Sequence, residues 1–300
     1  MIPLTQAKRI VIKLGTGILR TDSGAVNHSC IQTISKEVSA LKEKGSEVIL
    51  VSSGAIGLGM ARLNISERPK SLSALQACAA IGQSQLINIW QKAFDTYKHT
   101  VAQILLTQED LSSPNRNSGV SATIEHLLST GAIPIVNEND TVSTEEIKFG
   151  DNDTLSALVS KALNAELLLI LSNVSGLMDR NNDNEVIPLV KRIDASIEAL
   201  ASDTQKETSV GGMISKLSAA KIALAHGCGV FIGSGNDPEI FKKIAQGDSV
   251  GTYFQPWNQF LPLDTETQEE IIGLSVLELS HPINRCNLAG IFGAIAKHSQ

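Results

Sequence analysis

The sequence predicts an α/β protein in which a mostly parallel sheet carries helices on both faces. Three observations lead there. Short β-branched stretches alternate with helix-period stretches along most of the chain, the order that parallel crossover units produce. The 300 residues are 42% apolar but only 4% aromatic, so the core is aliphatic, as a sheet buried on both faces requires. Clusters rich in Gly, Ser, Asn and Asp recur just after the strand-like stretches, where open α/β sheets bind ligands.

Each element has its own warrant. Residues 9–14 (RIVIKL) are short and β-branched, and the turn Gly15-Thr16-Gly17 follows. The spacing of Ile31, Ile34, Val38 and Leu41 predicts a helix over 31–44 that stops at Gly45. Residues 47–52 (EVILVS) are a buried strand that ends in Ser53-Gly54-Ala55-Ile56-Gly57. Residues 72–97 form a long helical region, with Gly82 as the point where it would break in two. Further strands are expected at 101–107, 132–137, 166–172 and 229–233, and helices at 154–163, 213–226 and 238–245. The tail changes character, with an acidic stretch at 264–270 and apolar pieces interrupted by Pro282 and Gly290. We therefore expect a main domain over 1–255 and a short C-terminal extension over 256–300.

Composition excludes several classes. A net charge of −6 with scattered basic residues gives no electrostatic footprint for nucleic acid. Cys30, Cys78, Cys228 and Cys286 make no CxxC pair, and the six histidines make no ligand spacing, so buried free thiols and no metal site are expected. The apolar run near the amino end is interrupted by Lys13 and reads as a strand, neither a leader nor a membrane span. A cytoplasmic, reducing location follows as an expectation.

The chemistry concentrates in residues 137–160, NENDTVSTEEIKFGDNDTLSALVS. Two Asn/Asp clusters bracket a ten-residue segment, and an apolar helix-like run follows the second. Such clusters at strand and helix ends can grip the amine and carboxylate of a small amino acid and orient cations, although turns and N-caps use the same residues. No Walker A loop is present, and GAIGLG at 54–59 has the wrong glycine intervals for a dinucleotide fingerprint. Val210-Gly211-Gly212-Met213 opens the helix that carries Lys216 and is a second candidate cradle. Lys13 interrupts an apolar strand, and Lys216 sits in a helix first turn, where the dipole disfavours a cation unless an anion is near. Together the two lysines fit phosphoryl transfer, with Asp153 placed to hold both ammonium groups.

VIKLGTGIL, VSSGAIGLG, QILLT, IPIVNENDTVSTEEIKFGDNDTLSALVS, GGMISKLSAAKIA and SVGTYF, in this order over residues 8–254, resemble the glutamate 5-kinase group of the amino acid kinase family. The resemblance implies a three-layer α/β/α sandwich. It also implies phosphorylation of the γ-carboxylate of L-glutamate by ATP, with Mg2+ bound mainly through the ATP phosphates, as the first step of proline synthesis. Carried across residue by residue, it makes Lys13, Asp153 and Lys216 catalytic. It places glutamate at Ser53, Gly54, Asn137, Asp140, Asp151 and Asn152. The nucleotide falls at Gly15, Ser172, Asn173, Val210, Gly211, Gly212 and Met213. Feedback inhibition by proline through a moving segment 141–149, hand-over of the labile product to glutamyl phosphate reductase, and homo-oligomers are implied as well.

Four departures stand out. Asn173 replaces the usual Asp, Val210 the usual Thr, NSGVSAT at 117–123 a usual Leu-Asn-Ala-Arg-Asn-Thr run, and no Arg-Lys-x-Trp follows Phe254. The first two predict weakened nucleotide binding. Two alternatives stay open: a sister kinase acting on aspartate or N-acetylglutamate, and a non-catalytic glutamate or proline sensor.

Overall fold

The computed structural model describes residues 4–21, 24–142, 151–179, 182–202 and 212–256. The first half runs β1 (Arg9–Leu14), α1 (Thr16–Leu19), α2 (His28–Glu43), β2 (Glu47–Ser52), α3 (Ala55–Arg62), α4 (Leu72–Asp95), β3 (Val101–Leu106), α5 (Gln108–Ser112), α6 (Pro114–Ser129) and β4 (Ile133–Glu138). The second half runs α7 (Asp151–Ala162), β5 (Leu167–Ser172), β6 (Met178–Asp179), β7 (Glu185–Val186), β8 (Leu189–Val190), α8 (Ala195–Ser202), α9 (Met213–Ala225), β9 (Gly229–Ser234), α10 (Ile240–Gln246) and β10 (Gly251–Phe254).

Eight strands form one sheet in the order β3-β4-β2-β1-β5-β9-β10-β8, and β6 and β7 form a separate antiparallel pair. From β3 to β9 every pairing is parallel; β10 runs antiparallel to β9. The parallel strands therefore share one carboxyl edge, reached by Leu14, Ser52, Glu138 and Ser172.

Strand alternation sorts the aliphatic side chains into two cores. Val11, Ile49, Val51, Val136, Leu168 and Ile170 face a layer with Ile124 of α6, Leu155 of α7 and Leu217 of α9. Ile10, Ile12, Leu14, Val48, Leu50 and Leu169 face the opposite layer, with Val38 of α2, Leu58 of α3, Leu86 and Trp90 of α4 and Phe241 of α10. The expected three-layer α/β/α sandwich is the observed architecture.

One expectation is corrected. Helix α4 runs unbroken from Leu72 to Asp95, and Gly82 lies inside it as a crossing point. A Cβ on Gly82 would overlap the carbonyl oxygen of Ala55 in α3, and one on Gly59 would overlap that of Cys78 in α4. The two glycines let the helices touch backbone to backbone. The departure at 117–123 lies within the continuous helix α6, where Ser121 Oγ donates to the Ala162 carbonyl across 3.3 Å. The extension from 257 to 300 is outside the described residues.

Candidate active site

At the carboxyl edge the alternation decides where Lys13 points. It is two residues beyond Val11, so it faces the layer of α7 and α9, and it is 6% exposed. Asp153, in the first turn of α7, is fully buried beneath it. Lys13 Nζ lies 2.5 Å from Asp153 Oδ1, and Lys216 Nζ lies 3.3 Å from Asp153 Oδ2. Ser215 Oγ is 2.7 Å from the same Oδ2 and 2.9 Å from the Gly212 carbonyl oxygen.

One carboxylate thus holds two buried ammonium groups, with one positive charge in excess. Burial pushes the Asp153 carboxyl up, but the ammonium of Lys13, then that of Lys216, outweigh it and hold the group below the usual carboxylate range. Burial pulls the Lys216 ammonium below the ordinary lysine range; Asp153 opposes that shift and Lys13 adds to it. Such a cluster is an unneutralised cationic socket, suited to an anion with spread negative charge.

Beside the socket runs a chain of side-chain amides. Asn152 Nδ2 donates to Ser53 Oγ at 2.8 Å and to Asn137 Oδ1 at 3.0 Å. Asn137 Nδ2 donates to Gln83 Oε1 at 2.8 Å. Ser53 follows β2, and its backbone N–H bonds the Leu14 carbonyl at 3.2 Å. Gly54, next along, has φ +114°, and a Cβ there would meet open space. That conformation favours glycine and leaves bare backbone at the edge. Behind it, Trp90 Nε1 donates to Ser52 Oγ across 2.9 Å and anchors the end of β2.

On the other flank, Gly15 caps α1 and its N–H bonds the Leu171 carbonyl at 3.0 Å. The Asn173 amide lies over Gly17, so close that a Cβ on Gly17 would collide with it. Ser172 is buried at the end of β5, and its carbonyl accepts from Gly235 N–H at 2.9 Å.

A sequence model of the amino acid kinase family matches residues 8–234. The chain is 42% identical over 259 residues to the glutamate 5-kinase of Clostridium perfringens, covering 84% of this chain and 96% of that protein. It is 43% identical over 252 residues to the glutamate 5-kinase of Caldanaerobacter subterraneus subsp. tengcongensis, covering 83% of this chain and 68% of that one. This chain belongs to the glutamate 5-kinases of the amino acid kinase family. The fold agrees: the carbamate kinase from Giardia lamblia bound to AMP-PNP matches with a TM-score of 0.59 at 18% identity, over 84% of this chain and 99% of that one.

In this glutamate 5-kinase chain the structure brings together Lys13, Asp153, Lys216, Ser53, Asn137 and Asn152 through direct contacts. Asp140 is buried just beyond β4, within electrostatic reach of Arg68. Gly212 and Met213 open α9. The Asp151 side chain, Val210, Gly211 and most of the 141–149 segment lie outside the described residues. Sequence reasoning missed Gln83, Ser215, Trp90 and Arg68. A signal existed for Gln83: it stands four residues after Ala79, on the buried stripe of α4 that includes Leu75 and Leu86.

Proposed function

We infer that this protein phosphorylates the γ-carboxylate of L-glutamate at the expense of ATP, the first step of proline biosynthesis. The observation that carries the reading is the Lys13–Asp153–Lys216 cluster at the carboxyl edge, adjoining the amide chain. In the reaction a γ-carboxylate oxygen attacks the terminal phosphorus of ATP in line. The new P–O bond makes an acyl phosphate, and the bond to the leaving ADP oxygen breaks. Charge on the transferring group spreads over its oxygens, and the ammonium groups of Lys13 and Lys216 are placed to neutralise it. Asp153 keeps the two cations adjacent despite their repulsion. No general base is needed, because a carboxylate is already ionised near neutral pH.

Ser53, Gly54, Asn137, Asp140, Asp151 and Asn152 form the glutamate side in this reading, and Gly15, Ser172, Asn173, Val210, Gly211, Gly212 and Met213 the nucleotide side. Among the described residues no three His, Cys, Asp or Glu side chains converge as a metal cage, and Asp153 is already taken up by its lysines. In this reading Mg2+ is carried mainly by the ATP phosphates. No helix among the described residues is long and apolar enough to cross a membrane. A cytoplasmic location, homo-oligomers, proline as inhibitor and hand-over to a reductase belong to the same proposal.

The test is ADP release from MgATP with L-glutamate, with aspartate, with N-acetylglutamate and with no acceptor. Glutamate-dependent turnover is expected. Faster turnover with another acceptor would assign a sister kinase, and glutamate binding without turnover would assign a sensor. On the nucleotide side, Asn173→Asp is expected to lower the KM for ATP by about 2- to 10-fold through one regained polar contact. Initial rates at saturating glutamate read this directly, and an unchanged KM counts against the placement of Asn173.

A further inference from the structure

We propose that Gln83 is a positioning residue that ties the amides of Asn137 and Asn152 into one hydrogen-bonding polarity, in which Asn152 presents an acceptor to the substrate's α-ammonium. The proposal rests on the glutamate reading above. Its starting point is a buried glutamine on α4, 8% exposed, that belongs to neither aliphatic core.

Three side-chain amides from three elements form a directed relay. Gln83 Oε1 accepts from Asn137 Nδ2 at 2.8 Å, and Asn137 Oδ1 accepts from Asn152 Nδ2 at 3.0 Å. An amide carries donors on one side and an acceptor on the other, so two such bonds in series leave a donor over at one end and an acceptor over at the other. The leftovers are there. Gln83 Nε2 and Asn152 Oδ1 are both buried without a hydrogen-bond partner. A buried polar atom left unpaired is costly, and native structures keep few of them without a role.

Reversing all three amides would preserve both internal bonds and exchange the ends. Asn152 would then offer a donor, and Ser53, whose hydroxyl can donate or accept, would still pair with it. The internal bonds alone therefore do not choose the polarity of the pocket. A ligand does, and Gln83 makes the choice cooperative by tying Asn137 to it. Of glutamate's functional groups only the α-ammonium donates hydrogen bonds. The free Asn152 acceptor, with buried Asp140 three residues beyond Asn137, suits that group.

The experiment compares glutamate with glutarate, which has both carboxylates and no ammonium, in the natural protein and in Gln83→Met and Gln83→Glu. Calorimetric binding constants are measured for both ligands, and KM and kcat for glutamate. Gln83→Met keeps length and volume but removes the anchor. It is expected to weaken glutamate by about fivefold, the worth of one oriented hydrogen bond, with glutarate and kcat each within about twofold. Gln83→Glu retains an acceptor facing Asn137 Nδ2 and is expected to raise the preference for glutamate above that of the natural protein. Equal weakening of both ligands, or none, in both variants would overturn the proposal and leave Gln83 a packing residue. If Gln83→Met fails to fold, Gln83→Glu decides alone: a carboxylate can only accept, so a preference for glutamate raised above that of the natural protein supports the proposal, and an unchanged or lost one overturns it. The kinase reading fails separately, by absence of turnover in the natural protein, and the binding comparison still reads the relay.

Discussion

Asp153→Asn is expected to lower kcat by about 10³-fold, roughly 4 kcal/mol of transition-state stabilisation. Asparagine has nearly the same shape, so the loss isolates the charge. The carboxylate contacts both ammonium groups and the Ser215 hydroxyl. Without it two buried ammonium groups lose the carboxylate between them, which is expected to destabilise the fold by about 3–5 kcal/mol. The site can lower that cost by releasing a proton from Lys216, whose pKa burial already depresses and Asp153 raises. Residual activity should therefore fade at lower pH than in the natural protein, with the alkaline limb of the kcat profile shifted downward. Rates measured from pH 6 to pH 10, at a temperature where circular dichroism shows the variant folded, test both parts. Turnover within tenfold of the natural protein would remove Asp153 from the reaction.

Gly82→Ala is expected to be among the most damaging single methyl additions in the described part of the fold, with Gly59→Ala its counterpart on the facing helix. The Cβ added at Gly82 would meet the Ala55 carbonyl oxygen and the Gly59 backbone nitrogen, neither of which can rotate away. The helices must separate, at an estimated cost of about 3 kcal/mol, or roughly 10 °C in Tm for a domain of this size. Because α3 begins directly after Ser53 and Gly54, separation also moves the glutamate side of the site, and the KM for glutamate should rise with it. Gly119→Ala is the control. It lies in mid-helix α6 with nothing within 4 Å of the added Cβ, and should stabilise by about 0.5–1 kcal/mol. Thermal melts of the two variants should move in opposite directions; a common direction would sink the crossing argument.

Much of this was legible before any coordinates. The six parallel strands from β3 to β9 announced themselves as short aliphatic runs, and their observed ends differ from the expected ones by no more than a residue or two. Lys13 was visible because a charge interrupts an apolar strand, and Lys216 because a cation occupies a helix first turn. Their meeting on Asp153 followed from chemistry and from family resemblance. Other features were hidden for physical reasons. Helix α1 spans four residues, too few to show a period. The two-residue strands β6, β7 and β8 exist only through their partners. The helical period places Gln83 on the buried stripe of α4, but its role was hidden because its hydrogen-bond partner is 54 positions away. Gly82 looked like a helix breaker because nothing local reveals that a second backbone lies against it.

The ion cluster joins the first strand to helices α7 and α9, and its second link alone spans 63 positions of sequence. Closing such loops is entropically slow and comes after local helices and turns have formed. Turnover is therefore a late witness of assembly. A chain with its helices formed but its long loops still open would show much of the helical signal in far-ultraviolet light and yet have nowhere to neutralise a phosphoryl group. In refolding from denaturant, the return of activity marks the moment when distant parts of the chain have found one another.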